Sequence, residues 1–276
     1  EKNESELKPK FTEKEWADLV NFEGNANAIR VLTHQQTGKD EGGTQLTFTT
    51  LASIAKYPCE AIAKKKGYVN RKKFGFFQAQ KEAFRTIAEK TNMILEQDSP
   101  IIYKRHPFVW LVEAADDICY SIIDVEDSQR LGIIDHDKCR KLFLNLVESL
   151  DPSQIDKTKN TLKSISDKND RIAYLRAKSI NLLTQKSVEV YQNNFDQIVK
   201  GEFKTALLDV IKKTDDIADR IYPEEIVDIV KTKNKDLMIF SFKLSDNSAF
   251  SSNCDIKKLV LGKAITSFSL FIIIFL

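Results

Sequence analysis

The chain has 276 residues, of which 30% are charged and 42% hydrophobic, with 42 Lys and Arg set against 40 Asp and Glu. This is the balance of an ordinary soluble polypeptide, long enough for one large domain or two small ones. A net charge of +2 sets up no global field that would draw nucleic acid, although it leaves room for a local basic patch. Cys59, Cys119, Cys139 and Cys254 form no C-x-x-C pair, which argues against a zinc knuckle. Three of them sit in apolar or helical surroundings, as reduced, buried thiols of a cytosolic protein do. The sequence begins at Glu1 and its methionines are Met93 and Met238, so neither a natural translation start nor a signal peptide is expected in it.

With 9 Gly and 6 Pro, long helices are favoured over tight turns. Residues 1–16 are charged and predicted to fray. Leu19 to Leu32 (LVNFEGNANAIRVL) has helical spacing, with Asn and Gly in its middle. Thr37 to Gly43 reads as a loop. Gln45 to Lys56 opens with β-branched residues and becomes a helix capped by Thr49 or Thr50, which Pro58 stops or bends. Ala61 to Lys73 is basic with flanking aromatics. Phe74 to Asn92 is a helix candidate with an apolar face of Phe76, Phe77, Ala83, Phe84, Ile87 and Ala88. Pro100 to His106 is a connector, and Pro107 stands where a helix first turn accepts proline.

Helices are then predicted over Phe108–Gln129, Asp137–Ser149, Asp151–Asp167, Ile172–Asn194 and Glu202–Ile221. No alternating run exceeds a few positions, so the class is mainly α. From about residue 230 the texture changes to a Ser-, Phe-, Ile- and Lys-rich stretch without helical period, suggesting an atypical tail that is out of frame or disordered. Its last 13 residues are largely apolar, but a bilayer span needs about 20, so a membrane anchor is not expected.

The helix over Phe108–Gln129 carries the most chemistry. At helical spacing, Glu113, Asp116, Asp117, Tyr120 and Asp124 share one arc, while Leu111, Val112, Ala114, Ala115, Ile118, Cys119, Ile122, Ile123 and Val125 fill the opposite one. So wide an apolar arc predicts a largely buried helix. The acidic stripe then faces a cavity, a metal, basic partners or solvent. Adjacent carboxylates at 116 and 117 repel unless a cation neutralises them, and a divalent metal would do so. A solvated acidic face is the plainer alternative.

The segment EAADDICYSIIDVED (Glu113–Asp127) resembles the distal metal-ligand helix of deoxyguanosine triphosphate triphosphohydrolases of the HD superfamily. NFEGNANAIRVL (Asn21–Leu32), LTFTTLASIAKYPC (Leu46–Cys59), Lys66–Tyr68 with Phe84, and RHPFVWLV (Arg105–Val112) match in order. The resemblance covers roughly residues 15–228. It implies an HD-type helical domain over residues 1–135, lacking its N-terminal helices, and an associated helical region over 136–229. The activity it implies is hydrolysis of dGTP, or another dNTP, to the deoxynucleoside and tripolyphosphate with Mg or Mn. In that comparison Asp116 corresponds to the late metal ligand. Tyr120 packs on the deoxyribose and Asp124 bonds the 3′-hydroxyl. Lys56 and Tyr57 meet phosphates and sugar, Asn25 and Arg30 lie near the site, and Asp117 orients its neighbours. The family's oligomers, often hexamers, imply a homo-oligomer.

The departures matter as much. The family's His ligand, His-Asp pair and catalytic His and Glu precede the NFEGNA segment, whereas the first histidine here is His34. One carboxylate does not make an Mg or Mn site, so no catalytic residue is assigned and this polypeptide alone is expected to be inactive. His136-Asp137 follows Asp116 and reads as a helix start capped by Asp135 or Asp137. His34 and His106 read as structural. Two other readings remain open. One is a non-catalytic dNTP- or single-stranded-DNA-binding module that uses Lys64, Lys65, Lys66, Arg71, Lys72 and Lys73 with Tyr68 and Phe74 interleaved. The other is a helical scaffold without ligand.

Overall fold

The computed structural model describes residues 4–35, 37–38 and 43–214. These are mainly helical: α1 (Glu4–Leu7), α2 (Glu13–Val20), α3 (Gly24–Thr33), α4 (Phe48–Ile54), α5 (Lys81–Lys90), α6 (Val109–Arg130), α7 (His136–Leu150), α8 (Ile155–Ser164), α9 (Lys168–Asn193), α10 (Phe195–Val199) and α11 (Leu207–Thr214). The one sheet among the described residues is an antiparallel pair, β1 (Leu95–Asp98) and β2 (Ile101–Tyr103). The expected atypical tail over 230–276, its apolar end and Cys254 lie outside the described residues. Among the described residues, no helix is long and apolar enough to cross a membrane.

Several boundaries differ from expectation for local reasons. The N-terminal segment is not frayed throughout. Thr12 and Glu15 form a reciprocal capping box, Thr12 N–H to Glu15 Oε2 at 2.9 Å and Glu15 N–H to Thr12 Oγ1 at 3.3 Å, which satisfies two otherwise orphan donors and starts α2. The helix read over Leu19–Leu32 is two helices. Asn21 ends α2 by donating its side-chain amide to the Ala17 carbonyl at 3.0 Å, and Glu23 caps α3. Thr47, not Thr49 or Thr50, caps α4: its hydroxyl accepts from Thr50 N–H at 3.2 Å.

The helix expected from Phe74 begins only at Lys81. Phe74 and Phe76 are fully buried, but from a non-helical segment lying against residues 57–60. Gly75 N–H donates to the Cys59 carbonyl at 3.1 Å. A Cβ at Gly75 would collide with the Tyr57 carbonyl oxygen, so this close backbone approach requires glycine. The predicted connector over Pro100–His106 contains β2. The last predicted helix starts five residues late, at Leu207, and its expected end lies outside the described residues.

Two apolar clusters organise the first part of the chain. Ile29, Leu51, Ala52, Phe76, Phe84, Ile87, Ile101 and Tyr103 form one, with the Phe76 and Phe84 rings stacked at 4.4 Å. Ala26, Cys59, Ala61, Phe74 and Ile102 form the other. Beyond them α6, α7 and α9 pack on one another, and α4 and α11 lie against α6. The buried face of α6 includes Val109, Trp110, Ala114, Ile118, Ile122 and Val125.

The expectation of a largely buried α6 holds only on that strip, because Leu111, Val112, Ala115, Cys119 and Ile123 are half-buried. Buried Glu126 lies on the packed side. It accepts from Arg130 at 2.9 Å and from Arg176 of α9 at 2.7 Å, giving a buried carboxylate the partners it needs.

Candidate active site

Lys56 stands two residues past the end of α4, after the C-cap Ala55, and Pro58 bars continuation of the helix. Its position is fixed from behind by Arg105, whose guanidinium donates from Nε to the Lys56 carbonyl at 2.8 Å and from one terminal nitrogen to the Val69 carbonyl at 3.1 Å. The same guanidinium forks onto Glu113 of α6 at 2.7 and 3.2 Å. It also lies 4.6 Å from the Trp110 ring centroid and 5.7 Å from that of Tyr57. Arg105 is thus a buried junction of three chain segments, matching the planar, bidentate chemistry that lysine lacks.

Held in this way, Lys56 reaches across and donates from Nζ to Asp116 Oδ2 at 2.6 Å. The contact joins residues 60 positions apart and places two of the sequence-derived site residues together. Asp116, Tyr120 and Asp124 follow at four-residue steps on the side of α6 away from its core strip. Tyr120 is 60% exposed and Asp124 is exposed, so neither is engaged by the core. Asp117 sits beside Asp116. Burial first, then the charge of Glu113, push its carboxyl up to about 6, against the opposing pull of Lys56 and of Lys212 from α11.

Asn25 and Arg30 are engaged locally. The Asn25 amide donates to Glu23 Oε1 at 2.7 Å, and Arg30 reaches Asn27 Oδ1 at 3.4 Å. Among the described residues, no hydrogen bond or ion pair joins either of them to Lys56 or Asp116. The residues sequence reasoning missed are Arg105 and, as its partner, Glu113. The available signal was an arginine just before the Pro107 helix start and a carboxylate eight residues on.

Among the described residues, no hydrogen bond or ion pair joins a histidine to Lys56 or Asp116. Asp135 caps α7, accepting from Lys138 N–H at 2.7 Å. His136 lies at its first turn with Nε2 3.2 Å from the Lys168 carbonyl. His34 ends α3. His106 accepts from Phe108 N–H at 3.3 Å, and burial holds its pKa below the ordinary value.

The basic segment at 64–73 is also partly committed. Lys64 donates to Asn21 Oδ1 at 3.0 Å, and Lys73 pairs with Glu23 at 3.4 Å. Lys65 and Arg71 lie over the exposed Tyr68 ring at 4.9 and 4.2 Å. Phe74 is fully buried, so it offers no face to a base, and only Tyr68 of the two expected stacking rings remains accessible.

A divalent metal does not fit the donors assembled here. Asp116 brings one carboxylate, already paired with Lys56, and no group of three or more His, Cys, Asp or Glu side chains able to hold a metal ion occurs among the described residues. Hard cations of the Mg and Mn class need more oxygen ligands than that.

No protein-family model matches the chain. It is 33% identical over 201 residues to a deoxyguanosinetriphosphate triphosphohydrolase-like protein of Synechocystis, covering 71% of this chain and 43% of that protein. It is 32% identical over 203 residues to the protein so named in Pseudomonas aeruginosa, covering 72% and 44%. For the Listeria monocytogenes protein of that name, the identity is 30% over 197 residues, covering 70% and 41%. The chain therefore spans less than half the length of the curated relatives it matches.

Proposed function

We propose that this chain is the distal part of a deoxynucleoside triphosphate triphosphohydrolase of the HD superfamily. Such an enzyme cleaves dGTP, or a related dNTP, to the deoxynucleoside and tripolyphosphate. The observation that carries the reading is the Lys56–Asp116 contact at 2.6 Å. It unites, on one surface, the two segments whose sequences most resemble that family.

In this reading Asp116 is the one carboxylate that this chain contributes towards an Mg or Mn centre. The remaining ligands come from groups other than the described residues. Lys56 serves as a point charge for the phosphates, held in place by the Arg105–Glu113 fork. Tyr57 and Tyr120 bracket the sugar, Asp124 accepts from its 3′-hydroxyl, and Asp117 orients the carboxylate beside it. Asn25 and Arg30, on α3, belong to the substrate-binding residues near the site. Assembly as a homo-oligomer accompanies this function.

The test is incubation of the purified chain with dGTP and Mn²⁺, followed by chromatographic separation of deoxyguanosine and tripolyphosphate. We expect no turnover from this polypeptide alone, and turnover once a segment bearing the His and His-Asp ligands is added. Failure of that complementation, with Asp116→Ala binding dGTP as well as the parent, would sink the proposal. A second reading, single-stranded-DNA binding through Lys64–Lys73, draws support from the exposed Tyr68 ring with its two cations. It predicts salt-dependent binding that is lost in Tyr68→Ala.

A further inference from the structure

A groove of about 820 Å³ lies where α7, α8 and α9 meet, lined by His136, Asp137, Arg140, Asp156, Lys159, Asn160, Leu162, Lys163, Lys168 and Arg171. It shares no residue with the Lys56–Asp116 surface. Five cations face two carboxylates. None of the five is in an ion pair among the described residues, whereas Lys56, Arg105, Arg130 and Arg176 all are. Their bonds are neutral ones: Lys163 donates to Asn160 Oδ1 at 3.2 Å and Arg171 Nε to the Ile165 carbonyl at 2.7 Å. Arg140, Lys159, Lys163 and Lys168 are exposed. Like charges gathered in a concave wall repel one another and focus a positive potential on the space they enclose.

The lining also states what the ligand lacks. No aromatic side chain faces the groove, and Leu162 is its one apolar contributor. A base or a lipid tail would find neither a stacking surface nor apolar cover there. Charge without a stacking platform suits a bare chain of phosphates, and the volume exceeds what a single phosphate would fill. We infer that this groove is a binding site for linear inorganic oligophosphate, separate from the proposed active site.

Calorimetric titration of the full chain with tripolyphosphate, in chelator and at low salt, tests this. Saturable binding is expected, weakened about tenfold or more by Arg140→Glu with Lys159→Glu, since charge contacts dominate such binding. Lys90→Glu with Lys186→Glu changes the net charge equally on other surfaces and should leave it unaltered. Should the first pair fail to fold, Lys163→Gln with Lys168→Gln carries the same expectation at smaller amplitude. Absence of saturable binding, or equal weakening by the Lys90 and Lys186 pair, overturns the site. Loss of binding in Lys56→Ala alone would overturn it too, by moving the phosphates to α6. Tighter binding of a short oligothymidylate than of tripolyphosphate, sensitive to Arg140 and Lys159, would overturn the assignment to bare phosphate.

Discussion

Two ion pairs tie separate segments, at residues 56 and 105, to α6 within a single helical turn, and they differ in kind. In the Arg105–Glu113 pair the side chains are 3% and 15% exposed, and the arginine's other donors are met by two backbone carbonyls. In the Lys56–Asp116 pair they are 18% and 33% exposed, and Asp116 has a second carboxylate beside it. The first has its hydrogen-bonding capacity used within the fold and acts as a clamp. The second keeps part of its surface open to solvent, and an arriving phosphate or cation can exchange partners with it. The contrast separates what holds this region together from what it presents.

The comparison breaks first at the clamp. Arg105→Ala leaves the Glu113 carboxylate and two carbonyls without their donor, and should cost about 3–5 kcal/mol of stability in denaturant unfolding. A loss comparable to that of Lys56→Ala would erase the distinction. The open pair is expected to contribute far less. Lys56→Ala should cost about 1 kcal/mol or less, as partly exposed pairs do, and Asp116→Ala should be close to neutral because it also removes the repulsion on Asp117. A double-mutant cycle on each pair gives the two coupling energies directly.

The smallest effect is one of pH. The folded pKa of Asp117 is raised to about 6, above the ordinary 3.8, chiefly by burial. The folded state therefore holds its proton more tightly than the unfolded chain, and this contribution favours folding at low pH. It is complete below about 4 and is lost as pH rises through about 6. Asp117→Asn should flatten the stability profile in that window relative to the parent. An unchanged slope would show that Asp117 titrates normally.

Mainly α architecture was legible because apolar period survives in α6, α7 and α9, where packing is helix on helix. It failed over Phe74–Phe77, since three aromatics within four residues read alike whether a helix or an extended segment buries them. What decided the matter was Gly75 against the Tyr57 carbonyl, a contact distant in sequence. The split at Asn21–Glu23 and the cap at Thr47 turned on single side-chain bonds, and several nearby polar residues have the same bonding capacity. In the site, the stripe Asp116, Tyr120, Asp124 followed from period alone. Its meeting with Lys56 came from resemblance, because no local pattern encodes a 60-residue separation. Arg105 was quoted within a matching segment, yet its part as a junction depends on where three backbones cross.

The cysteines offer a way to watch this surface. Burial pushes the Cys59 and Cys139 thiols up to about 12, so alkylating reagents, which attack the thiolate, should pass them by. Cys119 is different: it is half-buried on α6, three residues from Asp116, and its thiol is raised first by burial and then by that carboxylate's charge. In a Cys254→Ser background, its alkylation rate becomes an electrometer for the site. Any cation that settles on Asp116 should speed the reaction, and Asp116→Asn should speed it permanently, giving a readout of charge at the ligand helix that needs no turnover at all.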